Sequence, residues 1–283
     1  MKPFEYFAPP SIAEASEILA RYAGHAYVVA GGTDLLLKMK AGRLAPQAVV
    51  NIKRIPDLRG LTLNSHLSLR ALTTLEEVRC SPIVRQHFPA LADAAATMAS
   101  IQIRNLATIG GNLCNAAPSA DLAPILIALK AVARINGSNG ERRVSLDEFF
   151  VGPGKTVLAA DELLTAIEVP RPIGRALYLK CAPRACMDIA VVGVGLSLRL
   201  NDKYCEEARV VLGAVAPTPW RARRAEAELI DGLLTPDRID RAAQIAAEEA
   251  QPIDDVRGSI WYRRRMVEVL TRQGLHLLGA RVS

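Results

Sequence analysis

Apolar residues recur at helical spacing over residues 10–23, at Ile12, Ala15, Ile18, Leu19 and Tyr22. Ser11 predicts the N-cap of that helix and Gly24 its stop. Ala26 to Ala30 then reads as a short buried strand, Gly31 to Asp34 as a turn, Leu35 to Lys40 as a short helix and Ala48 to Ile52 as a second strand. Residues 60–73 alternate apolar and polar positions, the signature of half-buried strands. Leu75 to Arg79 and Ile83 to Phe88 predict short helical pieces, residues 89–100 an Ala-rich helix, and residues 101–120 a loop rich in Gly and Asn. Leu122 to Leu129 is apolar on every side and predicts a buried helix. Ala131 to Ile135 and Glu141 to Ser145 predict a hairpin around the turn NGSNG, and Leu163 to Val169 a further strand. Beyond Gly174 the pattern changes. Ala176 to Cys181, Ile189 to Leu200 and Ala208 to Ala214 read as three strands, and a run of helices follows nearly to the C-terminus. A domain boundary is expected near residue 173.

With 283 residues, half of them hydrophobic, the chain can build two domains around substantial cores. Aromatics make up only 5%, so Ala, Val, Leu and Ile must fill those cores. No apolar run reaches the roughly 18 residues a spanning helix needs, which predicts no membrane span. The N-terminus MKPFEYFAPPSIAEA has no apolar stretch of the secretory kind. The expected location is the cytoplasm, unless a partner chain carries a signal. The five cysteines are odd in number and loosely spaced, against a disulfide framework; Cys181 and Cys186 have no second pair at metal-ligand spacing. The four histidines are scattered, with no metal or triad spacing.

The net charge of +6 raises nucleic acid as a partner. The arginine clusters, Arg221, Arg223, Arg224 and Arg263 to Arg265, are not interleaved with aromatics for base stacking. A solvated helix face or a subunit interface is the expected role, and no nucleic acid is expected.

Two glycine motifs carry the candidate chemistry. The first is Val28, Val29, Ala30, Gly31, Gly32, Thr33, Asp34, Leu35; the second runs from Thr108 through Ile109, Gly110, Gly111 and Asn112 to Asn115, and on to Asp121. Paired glycines admit close backbone approach, and successive amides can converge on an anion. Neither motif is a Rossmann or P-loop fingerprint. Two of them, each with a neighbouring hydroxyl, suit a diphosphate gripped from both sides by neutral donors, since neither loop holds a lysine. Asp121, just before the apolar helix, is expected first as its N-cap.

The pair AGGTDLLLKMK and TIGGNLCNAAPSADLAPIL resembles the FAD-binding medium subunit of the xanthine dehydrogenase and carbon monoxide dehydrogenase family, the molybdenum hydroxylases. A third segment, Lys180 to Ala190, agrees with it, as do FEYFAPPSIAEASEIL and WYRRRMVEVLTRQGL. The resemblance covers essentially the whole chain. It implies an α+β fold: an FAD-binding domain of the p-cresol methylhydroxylase type over 1–173, made of two α+β subdomains, then a flavoprotein C-terminal domain over 174–283 with a three-stranded antiparallel sheet and helices.

It also implies that Val28 to Leu35, with Thr108, Gly110, Gly111 and Asn112, hold the cofactor's diphosphate. Asn115 and Asp121 would bond further along, Met98 and Ala99 would line the cleft, Leu164 would pack on the cofactor, and Lys180 would sit near it. For Lys180 a solvated surface position is the competing reading, and for Arg184 and Asp188 a structural ion pair is preferred. Tyr178 is a candidate aromatic near the ring. The turn Asn136 to Gly140 is too short for the 4Fe–4S insertion of one branch of the family. The implied partners are a molybdenum-cofactor large subunit and a 2Fe–2S small subunit in a hetero-oligomer, a dimer of heterotrimers, with NAD or another acceptor taking the electrons. No residue of this chain would act as acid, base or nucleophile. The alternatives are a self-sufficient flavin oxidoreductase and a non-catalytic nucleotide-binding protein.

Overall fold

The computed structural model describes residues 1–185 and 187–280, in three modules. The first contains β1 (Glu5–Phe7), α1 (Ile12–Arg21), β2 (Ala26–Val29), α2 (Leu35–Lys40) and β3 (Ala48–Asn51). Its sheet is parallel in the order β1-β3-β2. β1 was not anticipated, because three residues are too few to display a period. Ser11 caps α1 as expected, its hydroxyl accepting from the Glu14 N–H at 3.2 Å, and Ala15, Ile18 and Leu19 turn the apolar stripe inward.

The second module opens with β4 (Leu61–Leu63) and β5 (His66–Arg70). α3 (Leu75–Cys80), α4 (Pro82–His87), α5 (Pro89–Ala96), α6 (Ile101–Arg104), α7 (Ile109–Asn115) and α8 (Leu122–Ala128) follow. The hairpin of β6 (Val132–Gly137) and β7 (Gly140–Ser145) comes next, then β8 (Phe150–Gly152), β9 (Lys155–Thr156) and β10 (Leu163–Pro170). The antiparallel sheet runs β4-β5-β10-β6-β7. β10 is central and buried from Leu163 to Val169, which accounts for its mostly apolar sequence. Its polar members are paired: Thr165 donates to the Arg134 carbonyl at 3.0 Å, and Glu168 faces Arg134 and Arg143.

In the third module β11 (Arg175–Cys181), β12 (Val192–Asn201) and β13 (Tyr204–Gly213) form the long antiparallel strands, extended by β14 (Trp220–Arg221) and β15 (Gly232–Leu233). α9 (Arg223–Leu229), α10 (Pro236–Glu249) and α11 (Ile260–Ala280) complete it. β12 shows how one strand serves two layers. Val192, Val194, Leu196 and Leu198 share a core with residues of the C-terminal helices. The alternate positions face α8, where a Cβ at Gly195 would come within 2.6 Å of the Pro124 backbone. α8 is therefore sandwiched between the second module and this sheet, and every residue from Leu122 to Ala128 is buried. Burying each of its large aliphatic side chains contributes about 1.5–3 kcal/mol.

Two expectations about charge need correction. Arg263 is buried, donating to the carbonyls of Val191 (3.0 Å) and Ala214 (2.7 Å) and to Asp255 (2.7 Å). Arg221 bridges Asp147 and Glu226. Neither belongs to a solvated face: a guanidinium has enough donors to serve several acceptors at once, and these two do so. Among the described residues no helix is long and apolar enough to cross a membrane.

Candidate functional site

A cleft of about 450 Å³ lies between the first and second modules. Val28, Ala30 to Leu35 and Lys38 line one side; Thr108, Gly110 to Asn112, Cys114 and Asn115 line the other; Leu163 and Leu164 also border it. The first motif occupies the link from β2 to α2. A Cβ at Gly31 would stand 2.0 Å from the Leu106 carbonyl oxygen, so only glycine lets this link lie against the segment before α7. Gly32 has φ +77°, in the left-handed region. The backbone N–H groups of Gly31, Gly32, Thr33, Asp34 and Leu35 meet no acceptor among the described residues. Five successive free donors at a cleft wall are what an anion requires.

The second motif differs from expectation. Residues 101–120 are not one loop but include α6 and α7, and the glycines fall in the first turn of α7. Their low helix propensity is offset because the amides of that turn are satisfied. Ile109 N–H donates to the Thr73 carbonyl (2.9 Å), Gly110 N–H to the Ala71 carbonyl (3.0 Å), and Gly111 N–H to the Thr108 hydroxyl (3.0 Å). A Cβ at Gly110 would meet the Ala71 carbonyl oxygen at 2.7 Å. This pair is thus explained by close packing, with its amides used inside the protein. What it shows the cleft is side chains. The Asn112 Oδ1 is buried without a partner, and burial pushes the Cys114 thiol up to about 12, keeping it neutral.

Sequence reasoning passed over Lys38. It sits on α2 four residues past Asp34, and its ammonium donates to Asn115 Oδ1 at 2.6 Å, joining the two motifs across the cleft. Helical spacing within AGGTDLLLKMK was the available signal, since the chain direction of α2 carries the side chain back toward the loop.

A second polar centre lies apart from the cleft lining. Asp121 is nearly buried. Its Oδ1 accepts from the Tyr178 hydroxyl at 2.7 Å and its Oδ2 from Lys180 Nζ at 3.0 Å. Asp121 makes no side-chain capping bond, so its expected capping role is corrected: both carboxylate oxygens are drawn to the third module. Burial raises its pKa, against the opposing pull of Lys180 and Tyr178, and burial also raises that of the Tyr178 phenol. Lys180 is no solvated lysine. Its side chain is 9% exposed, and it also donates to the carbonyls of Asp188 (2.8 Å) and Thr97 (3.3 Å).

The Thr97 contact links this centre to Met98 and Ala99, whose carbonyls accept from Arg104 Nη1 at 2.8 and 3.2 Å. Neither Met98 nor Ala99 lines the cleft, and Val29 turns into the small core with Met39 and Val49. Arg184 and Asp188 form the expected ion pair at 3.2 Å, while Cys186 lies outside the described residues.

The residues present fit an FAD. Among the described residues the cleft lining is largely apolar and furnished with free amides, an orphan amide oxygen and one cation. Comparison with known proteins agrees. The family described as the FAD-binding domain in molybdopterin dehydrogenase matches residues 2–172, and that of the CO dehydrogenase flavoprotein C-terminal domain matches 177–278. The carbon monoxide dehydrogenase medium chain of Hydrogenophaga pseudoflava is 33% identical over 282 residues, covering 99% of this chain and 98% of that protein. The xanthine dehydrogenase FAD-binding subunit of Escherichia coli O157:H7 is also 33% identical, covering 95% of this chain and 93% of its own. Among solved structures, a chain of the Hydrogenophaga pseudoflava carbon monoxide dehydrogenase superposes with a TM-score of 0.96 at 34% identity, over 100% of both chains.

Proposed function

This chain belongs to the family of FAD-binding medium subunits of the molybdenum hydroxylases, and on that footing we propose that it is the electron-transfer subunit of such an enzyme. It takes electrons from 2Fe–2S clusters on a small partner subunit and passes them through FAD to NAD or another acceptor. A large partner subunit carrying the molybdenum cofactor oxidises the substrate, and the assembly is a cytoplasmic dimer of heterotrimers. Residues 1–173 form the FAD-binding domain and residues 174–283 the C-terminal domain of this reading.

FAD supplies, when bound, a centre that stores two electrons. The chain's own residues bind and orient it. The free amides from Gly31 to Leu35, with the Thr33 hydroxyl, would hold the diphosphate. Thr108, Gly110, Gly111 and Asn112 form the facing wall, with Asn115 beside them, and Leu164 adds an apolar side chain to the lining. Asp121 and Lys180, paired at 3.0 Å and tied through Lys180 to the Thr97 carbonyl next in sequence to Met98 and Ala99, would take a part of the cofactor that extends beyond this cleft lining. No side chain here needs to move a substrate proton; placement is the work.

The observation that carries this reading is the run of five free amides at the wall of a cleft of about 450 Å³ that both glycine motifs line. The test is an FAD titration of the purified chain, alone and with the partner subunits, followed by flavin absorbance. Stoichiometric binding is expected, and it should be lost in Gly32→Val. No binding even in the presence of the partners, or full binding by Gly32→Val, would sink the assignment.

A further inference from the structure

Amides and hydroxyls carry no formal charge, yet the ligand read into this cleft is an anion. Among the described residues only one cation lines the cleft: Lys38. The two carboxylates that share the lining, Asp34 and Glu162, work against an anion there. Glu162 is held below the usual carboxylate range, by Arg142 bonding from outside the cleft, and so stays charged. Lys38 itself has no carboxylate within ion-pair distance among the described residues. Its one recorded partner, the Asn115 amide oxygen at 2.6 Å, is neutral. An ammonium has three N–H donors, so two remain for other acceptors.

We propose that Lys38 is the charge-neutralising residue for the diphosphate of the bound dinucleotide, held over the cleft by Asn115. The inference rests on the FAD reading above and adds to it the source of positive charge that the two glycine motifs lack. The position of Lys38 supports this. α2 begins at Leu35, the last of the five free amides, so the ammonium and those amides are carried by one continuous segment. Asn115, at the last turn of α7, fixes the ammonium from the opposite wall without cancelling its charge. An aspartate at 115 would cancel that charge; an asparagine leaves it for the ligand.

The test is FAD titration of the full chain, wild type against K38Q and K38R, at low and high salt. Because the pair is charge-assisted but exposed, K38Q should weaken FAD roughly three- to tenfold at about 20 mM salt, the gap narrowing at about 0.5 M. K38R should keep most of the affinity. An unchanged Kd in K38Q overturns the proposal, and an equal loss at both salts overturns it too, because Lys38 would then be only a mechanical latch. Wild-type chain that takes no FAD, with or without the partner subunits, removes the FAD reading and this proposal with it. Wild-type binding with an indifferent K38Q removes this proposal alone. Lys38 is exposed, so an unaltered urea midpoint in K38Q should separate any loss of affinity from misfolding.

Discussion

Gly31-Gly32 and Gly110-Gly111 look alike in the sequence and face each other across one cleft, yet they use their backbone in opposite ways. In the first pair the N–H groups from Gly31 to Leu35 are unclaimed by the protein. In the second, the N–H groups of Gly110 and Gly111 are taken by Ala71 and Thr108. One pair is open toward a ligand; the other is closed into the fold. Glycine is needed in both for close approach, at Gly31 against Leu106 and at Gly110 against Ala71, so the residue type alone could not tell the two uses apart. The lesson is to ask where each amide hydrogen goes before assigning a glycine turn to a ligand.

The largest effect expected from this contrast is on the closed pair. In Gly110→Ala the new Cβ would lie 2.7 Å from the Ala71 carbonyl oxygen and 2.8 Å from its Cβ. Both neighbours belong to a buried junction, so strands and helix must separate. We expect a loss of about 2–3 kcal/mol in stability, read as a lower urea midpoint in the flavin-free protein. An unchanged midpoint would mean that the junction yields easily, and the contrast between the pairs would fail.

Gly32→Ala is the converse. Its φ of +77° makes alanine strained, and the atoms it would crowd belong to the Leu36 side chain, which can move. The stability cost should be smaller, about 1 kcal/mol. FAD affinity, however, should fall roughly tenfold or more, because relaxing the turn swings free amides away from one another. Parallel titrations and denaturant curves give the ratio of binding loss to stability loss. A ratio no larger than that of Gly110→Ala would contradict the division of labour.

Much of this architecture was legible. The spacing of Ile12, Ala15, Ile18 and Leu19, the all-apolar run of α8 and the three long strands beyond Gly174 all had periods long enough to read. Of the motifs behind the family resemblance, the fold brings the two glycine motifs together at one cleft, while Lys180 of the third segment lies apart from its lining. Three things were hidden for physical reasons. α7 forms despite Gly and Asn because carbonyls distant in sequence satisfy its first turn. Asp121 has the sequence position of a cap, but Tyr178 and Lys180, nearly 60 residues away, claim its oxygens. Lys38 reaches Asn115 across 77 residues, a contact no local pattern encodes. In each case the deciding partner is tertiary.

The smallest effect concerns what holds the closed pair in place. α6, which leads into it, is anchored by Arg104, whose Nε donates to Glu76 at 2.7 Å. The Arg79 and Arg104 guanidiniums lower the Glu76 pKa from its ordinary 4.5 to about 2. A carboxylate with a depressed folded-state pKa contributes stability at pH above its unfolded value and loses it as the pH falls through the folded value. Wild type should therefore exceed Glu76→Gln in stability at neutral pH, and the difference should close between pH 4.5 and about 2. Arg79 is partly exposed, so solvent screens its share, and the neutral-pH difference should be under about 1 kcal/mol. Denaturant midpoints of both proteins across that range test this. The open pair has no such anchor, so FAD affinity in Glu76→Gln should change little at neutral pH. A loss of affinity without a loss of stability would show that Glu76 acts on the cleft through Arg104 and the Met98–Ala99 carbonyls, and that the closed side of the cleft is less separate from the ligand than its amides suggest.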